Sequence, residues 1–167
     1  MTSLLAELPS KQELFGGRLP LDHLLSYAAA IDPGLAHRAA VVTTDGNTLL
    51  TEGRYSKPDE KFIEEIVDFL SENRILVVTV GDPQGQFEFP IAALRHACWE
   101  KGILPVLGSE YCTSRKCPRC HIHQQFEDRI FVCQRCGLTL DRDLAGALNI
   151  YQRVFGKRSR LPEPEGL

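Results

Sequence analysis

Two pairs of cysteines in the last third of the chain constrain its fold more than any other feature. The pairs are Cys117 with Cys120 and Cys133 with Cys136, each separated by two residues, and twelve residues lie between the pairs. This spacing is typical of two knuckles that supply four thiolates to one tetrahedral zinc ion. The segment Asp-Arg-Asp at 141–143 follows closely and opens a predicted helix. We therefore expect zinc to hold a small loop structure directly beside a carboxylate.

The composition favours a globular protein in a reducing, intracellular compartment, which would be the nucleus in a eukaryotic host. A chain of 167 residues can bury one core and a small satellite. No apolar run approaches the roughly 20 residues of a membrane span, so we expect no membrane partner. The N-terminus lacks the basic and apolar regions of a signal peptide, and the paired spacing favours zinc over disulfides. Cys98 and Cys112 lie outside the pairs and are expected to be packed thiols.

Basic charge is concentrated in the cysteine-rich third, although the whole chain has a formal net charge of −3. Residues 1–109 hold 9 Lys/Arg and 15 Asp/Glu, whereas residues 110–160 hold 10 and 5. An overall negative charge argues against a general nucleic-acid binder, but the local cluster coincides with the cysteine motif. The distribution favours a nucleic-acid contact at this end of the chain, with a solvated face as the alternative.

The hydrophobic pattern predicts an α/β fold. Three apolar runs separated by turn signals predict consecutive strands, and amphipathic segments then alternate with β-branched ones. The predicted strands are 25–32, 38–44, 48–53, 74–81 and 103–108, and the helices begin after Ser56, at Pro90 and near Asp141. This order suits a mixed sheet flanked by helices, with the cysteine-rich segment inserted before the last helix. We expect residues 1–23 to form an N-terminal arm and residues 156–167 a disordered tail.

Three carboxylates are candidate catalytic residues. Asp32 ends the first predicted strand, Glu110 follows the fifth, and Asp143 lies in the first turn of the last helix. Each also has an ordinary explanation, respectively a turn, an exposed surface residue and a favourable charge at a helix N-terminus. Ligands favour the carboxyl edge of an open α/β sheet, and the topology would bring all three residues towards that edge. Together they favour a site for divalent cations, which need several oxygen ligands.

Five segments in this order carry a family resemblance: IDPGLAHRAAVVTTDG, ILVVTVGD, EYCTSRKCPRC, FVCQRCG and DRDLAGALNI. They resemble the RuvC-like nuclease domain of the TnpB/OrfB family, whose members are transposon-encoded, RNA-guided nucleases. That family is related to miniature type V CRISPR nucleases and to the eukaryotic Fanzor proteins. The resemblance implies an RNase H-like fold over residues 24–155, with a zinc-ribbon insertion at 111–140.

The resemblance also implies catalytic roles. Asp32 would be the first catalytic carboxylate and Asp143 the last. The family usually has a Glu at the end of the fourth strand, where this chain has Gly81. Fanzor-like members carry a relocated Glu just before the zinc segment, which Glu110 matches, so this subfamily is favoured. Asp82 is a reserve ligand, with a turn before proline as its alternative. The three carboxylates are thereby implied to hold Mg²⁺ or Mn²⁺.

Two departures from the family pattern lie in and after the zinc segment. Ala145 stands where the family usually has Asn, and His121 stands where the first knuckle usually continues with Gly. His121 or His123 is an alternative metal ligand, although four thiolates already complete a closed zinc site.

Several basic residues beside the cysteines are expected to contact phosphates as a group, although each alone would be an ordinary surface residue. These residues are Arg115, Lys116, Arg119 and Arg142, with Arg129 and Arg135 close in sequence. The resemblance implies DNA as the partner. It also implies a guide RNA or a separate chain that supplies the long N-terminal region of full-length relatives, because roughly 24 residues precede the first strand here.

Three functions are therefore open. The first is a truncated or minimal metal-dependent DNA endonuclease domain that hydrolyses phosphodiesters with two Mg²⁺ or Mn²⁺ ions. The second is a catalytically inactive, domesticated zinc module that binds DNA or RNA. The third is a structural zinc-ribbon protein unrelated to nucleases. Convergence of the three carboxylates would favour the first.

Overall fold

The computed structural model describes residues 24–53, 57–83, 85–108, 115–125, 128–156 and 160–161. Five strands form the main sheet in the order β3-β2-β1-β4-β5. They are β1 (Ala28–Pro33), β2 (Ala39–Thr43), β3 (Thr48–Leu50), β4 (Val77–Val80) and β5 (Leu104–Leu107). The helices are α1 (Asp59–Glu72), α2 (Ile91–Glu100) and α3 (Arg142–Phe155). The predicted order of strands and helices is confirmed.

A layer of helices covers each face of the sheet. Successive side chains of a strand point to opposite faces, so neighbouring residues of β1 pack against different helix layers. Ala28 and Ala30 of β1 pack in one buried cluster with α3, whereas Ala29 and Ile31 pack in another with α1 and α2. The first face is covered by residues of α3, namely Leu144, Ala147, Leu148 and Tyr151. The second is covered by Phe62, Ile66, Val67, Leu70, Leu94 and Cys98. The architecture is thus a three-layer α/β/α sandwich.

The topology collects several chain segments at one edge of the sheet. β1 pairs parallel with β4, and β4 pairs parallel with β5, so these three strands end at the same edge. β2 runs antiparallel to β1 and returns from that edge, with Asp32 opposite Ala40. The N–H of Gly81 donates to the carbonyl of Ile31 at 2.9 Å and extends the ladder just beyond the strands. This edge is where the predicted catalytic residues are expected.

The cysteine-rich segment contains a small antiparallel hairpin, which the sequence did not predict. Its strands are β6 (Ile130–Val132) and β7 (Thr139–Asp141). They were not recognised because each has three residues and only the middle position of β6 is buried. Phe131 and Leu138 form a separate small core with Ala145 of α3. Ala145, which stands in place of the family's Asn, therefore serves as packing surface for this module.

Some element boundaries differ from the predictions. Leu24 and Leu25 lie in a helical turn, so β1 begins later than the predicted strand at 25–32. Helix α1 begins after Pro58, which makes no side-chain capping bond, and Ser56 lies outside the described residues. Gly156 ends α3 in the left-handed conformation.

The tail prediction needs a correction at two residues. The N–H of Arg160 donates to the carbonyl of Thr44 at 2.9 Å, and Leu161 packs against the core beneath α3. An apolar side chain and a backbone hydrogen bond fix these residues to the body. Residues 157–159 and 162–167 lie outside the described part, as do residues 1–23 of the predicted arm. Among the described helices, none is long and apolar enough to span a membrane.

Candidate active site

Asp32 lies at the carboxyl end of β1, the central strand, as predicted. Its carboxylate packs against the backbone of Gly146 on α3, where an added Cβ would come within 2.1 Å of Asp32 Oδ2. Any larger residue at position 146 would collide with the carboxylate. Gly146 therefore lets the helix approach the strand while leaving room for a charged group between them.

Asp143 lies in the first turn of α3 and faces the same edge of the sheet. Asp141 caps the helix, because its Oδ1 accepts the N–H of Asp143 at 2.8 Å. The Asp143 carboxyl carbon and Oδ1 each lie 3.7 Å from the point where a Cβ on Gly34 would stand. The loop that leaves β1 thus packs beside Asp143, and Asp32 and Asp143 are brought together.

The electrostatics of Asp32 reflect this proximity. Burial, followed by the negative charge of Asp143, raises the pKa of Asp32 from 3.8 to about 7, and Arg142 acts in the opposite direction. Burial and the like charge of Asp143 thus both disfavour the ionised form of Asp32. A divalent cation would offset that charge, and oxygen ligands are those that Mg²⁺ and Mn²⁺ prefer, so the donor set fits such an ion.

Arg129, at the start of the hairpin, already contacts this site. Its Nη2 donates to Asp143 Oδ2 at 2.7 Å and lies 3.6 Å from Asp141 Oδ1. The hydrogen bond to Asp143 is the main reason that the pKa of Arg129 is raised. The cysteine-rich module therefore reaches the carboxylate site through a charged side chain.

At position 81, where the resemblance implies a Glu, a side chain would meet the end of Ile150. A Cβ on Gly81 would lie 2.8 Å from Cδ1 of Ile150 and 3.4 Å from Cδ of Pro33. Ile150, which projects from α3, thus fills the space at the end of β4. The reserve residue Asp82 is exposed, and its charge acts on the half-buried Arg95 of α2. The structure therefore does not add Asp82 to the pair formed by Asp32 and Asp143.

The remaining predicted residues differ in what the structure shows of them. Glu110 lies outside the described residues, so its place at this edge stays a prediction. Arg115 and Arg119 are exposed beside the first knuckle, and Lys116 is half-buried there. Arg142 is close enough to Asp32 to lower its pKa. Contact of these four basic residues with phosphates also stays a prediction.

The four cysteines Cys117, Cys120, Cys133 and Cys136 form a compact quartet. Sγ of Cys117 lies 3.6 Å from that of Cys136, and Sγ of Cys120 lies 3.5 Å from that of Cys133. Tetrahedral zinc with bonds of about 2.3 Å places its sulfurs about 3.8 Å apart. All four sulfurs lie within 4.8 Å of one another, so the quartet fits a tetrahedral metal of this kind.

Both knuckles have the same backbone geometry. The N–H of His121 donates to the carbonyl of Cys117 at 2.9 Å, and that of Gly137 donates to the carbonyl of Cys133 at 3.0 Å. Both residues have positive φ, 67° for His121 and 74° for Gly137. His121 therefore occupies a left-handed position that Gly adopts without strain. The described metal-binding group at the knuckles contains the cysteines without His121 or His123.

A further group of possible metal ligands includes Asp143, and the sequence did not predict this group. His37, Asp141 and Asp143 each offer one ligand atom, and these atoms lie within 4.8 Å of one another. Asp141 was visible as part of the Asp-Arg-Asp segment. His37 gave no signal because it lies in the irregular connection between β1 and β2, where no periodicity sets its direction.

Comparison with known proteins identifies one matching family model and several similar folds. Residues 91–150 match the family model described as Cas12f1-like, TNB domain. No curated protein matches the chain. A cryo-EM structure of a Cas12f1-sgRNA-target DNA complex is 14% identical with a TM-score of 0.57, covering 74% of this chain and 49% of that chain. A CRISPR-Cas12f ternary complex is 14% identical with a TM-score of 0.60, covering 74% and 38%.

At this identity the two cryo-EM structures show the fold, and this chain spans about half or less of their lengths. T. thermophilus RuvC in complex with a Holliday junction substrate is 15% identical over 77% of this chain and 93% of that chain. Its TM-score of 0.43 is too low to support an inference. The predicted resemblance is confirmed for the fold and for the cysteine-rich module, and the Fanzor-like assignment stays a prediction.

Proposed function

We propose that this chain is a RuvC-like, metal-dependent DNA endonuclease domain, because residues 91–150 match the family model described as Cas12f1-like, TNB domain, and the fold is similar to that of the Cas12f1 structures. The observation that carries the proposal is the meeting of Asp32 and Asp143 at the carboxyl edge of the sheet. Two carboxylates that different elements bring together at one edge of a sheet are what a nuclease needs to hold cations at a phosphodiester.

In this proposal Asp32, Asp143 and Glu110 hold the catalytic Mg²⁺ or Mn²⁺. The chain leaves β5 at the same edge shortly before Glu110, which supports that residue as the third ligand. Such ions, when bound, activate water and stabilise the leaving oxygen. Asp32 is fixed by its packing against Gly146, and Asp143 by the cap from Asp141. Both carboxylates are thereby oriented before any ion or substrate arrives.

The cysteine quartet has a structural role in this proposal, with zinc as its ion. Two side-chain amides of α3 hold the first knuckle: Asn149 donates to the carbonyl of Lys116 and Gln152 to that of Pro118, each at 2.7 Å. The same helix carries Asp143 at its start. Zinc would therefore fix the hairpin, and with it Arg129, relative to the catalytic carboxylates. A reducing intracellular location follows from thiolate ligation, and a nuclear one if the host is eukaryotic.

We propose DNA as the substrate and, by the resemblance, a guide RNA or a second polypeptide as a further partner. The basic residues Arg115, Lys116 and Arg119 lie along the first knuckle, and Arg142 lies beside Asp32. Together they offer phosphate contacts, of which that of Arg142 would lie beside the carboxylates. The Cas12f1 structure holds an sgRNA and target DNA, which supports testing both classes of nucleic acid.

The test is cleavage of single-stranded and duplex DNA by the zinc-loaded chain with Mg²⁺ or Mn²⁺. Asp32→Asn, Asp143→Asn and Glu110→Gln should each lower the rate by at least about 100-fold, since each would remove a metal ligand. The exposed carboxylates Asp68 and Glu72 of α1 supply the controls Asp68→Asn and Glu72→Gln, which should leave the rate unchanged. Cleavage that survives both Asp32→Asn and Asp143→Asn would refute the proposal.

A second candidate function is a catalytically silent nucleic-acid-binding module. Two observations favour it: Ile150 fills the space at Gly81, and Arg129 pairs with Asp143. In that case DNA or RNA binding would depend on the basic residues around the knuckles, with no cleavage in either metal. Binding that is lost in Arg115→Ala/Arg119→Ala, together with no cleavage by the wild type, would select this function.

A further inference from the structure

We propose that His37, Asp141 and Asp143 form a second cation site, distinct from the pair Asp32 and Asp143, that selects a transition-metal ion such as Mn²⁺. The site joins the connection after β1 to the start of α3. It shares Asp143 with the proposed catalytic centre, so its catalytic consequence rests on the proposed function. Its existence as a binding site does not.

The first argument is the orientation of His37. Its Nδ1 lies 3.2 Å from the carbonyl oxygen of Thr51, and its Nε2 lies 3.2 Å from Asp141 Oδ2. The carbonyl on one side of the ring thus directs Nε2 at the carboxylate on the other side. A backbone carbonyl on the other ring nitrogen is the usual support for a metal-binding histidine.

The second argument is distance. With metal–ligand bonds of roughly 2.1 Å, adjacent ligands of an octahedral ion lie about 3.0 Å apart and opposite ones about 4.2 Å. The 3.2 Å separation of His37 Nε2 and Asp141 Oδ2 suits adjacent positions. The ligand atoms of all three residues lie within 4.8 Å of one another. Small shifts of side chains would therefore complete the site.

The third argument is the division of the carboxylate oxygens. Asp141 Oδ1 accepts the N–H of Asp143, which leaves Oδ2 directed at His37. Asp143 Oδ2 accepts from Arg129, while its Oδ1 lies on the side of Gly34. Each aspartate is thus held by one oxygen and presents the other. Arg129 would orient Asp143 as an outer partner of the site.

The ligand set determines the class of ion. One imidazole nitrogen with two carboxylates suits Mn²⁺ and later first-row ions, whereas Mg²⁺ prefers oxygen ligands and retains water. His37, Asp141 and Asp143 are all partly accessible, with side-chain exposures of 29%, 17% and 15%. An ion can therefore enter from solvent.

The test is pulsed electron paramagnetic resonance of Mn²⁺ added to the zinc-loaded chain, in which a coordinated imidazole produces nitrogen modulation. We expect this modulation in the wild type and in His96→Gln, a histidine on α2 that pairs with Glu100. It should vanish in His37→Gln, with Mn²⁺ affinity lowered at least about tenfold, since even outer partners of metal sites contribute that much. If His37→Gln folds poorly, ¹⁵N-histidine labelling of the wild type should change the modulation pattern without any substitution.

The outcomes separate this site from the proposed nuclease. In Asp32→Asn the nitrogen modulation should persist, because Asp32 is not a ligand of this site, while cleavage should be lost. Modulation without cleavage in the wild type would retain the site and reject the nuclease. Cleavage with Mn²⁺ bound but without nitrogen modulation, or modulation that persists in His37→Gln, would overturn the site and show that His37 is only a hydrogen-bond partner of Asp141.

Discussion

The properties of Asp32 follow from where the backbone places it. The central strand ends under the first turns of α3, so the carboxylate loses water on one side and meets Asp143 on another. Gly146 allows this approach, because a side chain there would occupy the same space. The fold thus holds a carboxylate in an environment that disfavours its charge. Such an arrangement costs stability and is a common mark of functional sites.

The first prediction concerns the stability cost of Asp32. Since its pKa is raised to about 7 in the fold, the protonated form is favoured there. The stability that the fold gains from holding Asp32 protonated is fully present below the unfolded pKa near 3.8, and it is lost as the pH rises through about 7. Without divalent ions, Asp32→Asn should therefore raise the free energy of unfolding at pH 8 by about 2 kcal/mol, allowing for partial solvent screening.

Urea unfolding at several pH values measures this effect. Near pH 4 the gain from Asp32→Asn should largely disappear, and Mg²⁺ at pH 8 should stabilise the wild type but not the variant. Asp68→Asn on the exposed face of α1 is the control and should change little. An Asp32→Asn variant that is less stable than the wild type at pH 8 would contradict the proposed environment.

The second prediction concerns the residue after each knuckle. His121 holds a left-handed conformation that Gly137 holds in the second knuckle. His121→Gly should stabilise the zinc-loaded protein by up to about 1 kcal/mol, and Gly137→Ala should destabilise it by about 1 kcal/mol. Thermal unfolding of both zinc-loaded variants and of the wild type measures these two stability changes. A loss of bound metal in His121→Gly would instead indicate that His121 is a ligand.

At the scale of elements, α3 connects every functional part. One side packs on the sheet through Leu148 and Tyr151, and its start carries Asp143. Asn149 and Gln152 hold the first knuckle, and Ala145 joins the small core of the hairpin. A shift of this helix would therefore change the carboxylate site and the cysteine module together.

The third prediction tests the packing of α3 on the end of β4. Gly81→Ala should destabilise the chain by about 1 kcal/mol, because the new Cβ would lie 2.8 Å from Cδ1 of Ile150 and this terminal atom must move aside. In an Ile150→Ala background most of this cost should disappear, which corresponds to a coupling of about 0.5–1 kcal/mol. A double-mutant cycle by urea unfolding provides this coupling energy. A coupling near zero would show that Ile150 does not occupy the space.

Much of this arrangement was predictable from periodicity, and the reasons for the exceptions are physical. The order of strands and helices follows from alternation and apolar faces, and the place of Asp32 at the carboxyl edge follows from where β1 ends. The hairpin was not predicted because its strands are too short to show an alternating pattern. The contacts of His37 and Ile150 were not predicted because they depend on how closely α3 approaches the sheet, which residue patterns do not specify.

At the scale of the whole molecule, the described residues form a main core on the two faces of the sheet and a small separate core in the cysteine-rich module. The sheet and its helices form two apolar clusters, and the hairpin forms a third small cluster around Phe131 and the cysteines. The third is too small to be stable without a metal, as in other small cysteine-rich modules. The metal would therefore decide whether the hairpin, and Arg129 with it, has a defined position beside Asp143.

The fourth prediction concerns this dependence. Wild-type protein should contain about one zinc per chain by mass spectrometry, and Cys133→Ser should contain none and unfold at a lower temperature. Cys98→Ala is the control: Cys98 is buried in the main core away from the quartet, so this variant should lose stability but retain zinc. Full zinc content in Cys133→Ser would contradict ligation by the quartet.

The most direct test of the account is a crystal structure of the chain soaked with Mn²⁺, with anomalous scattering measured at the manganese and zinc edges. The account predicts a zinc peak inside the cysteine quartet and a manganese peak bound by Asp32 and Asp143. The account would be contradicted by a crystal that has been soaked to saturation with Mn²⁺ and in which Asp32 and Asp143 bind no manganese while Arg129 still pairs with Asp143. Such a result would rule out a metal-dependent active site at this edge of the sheet.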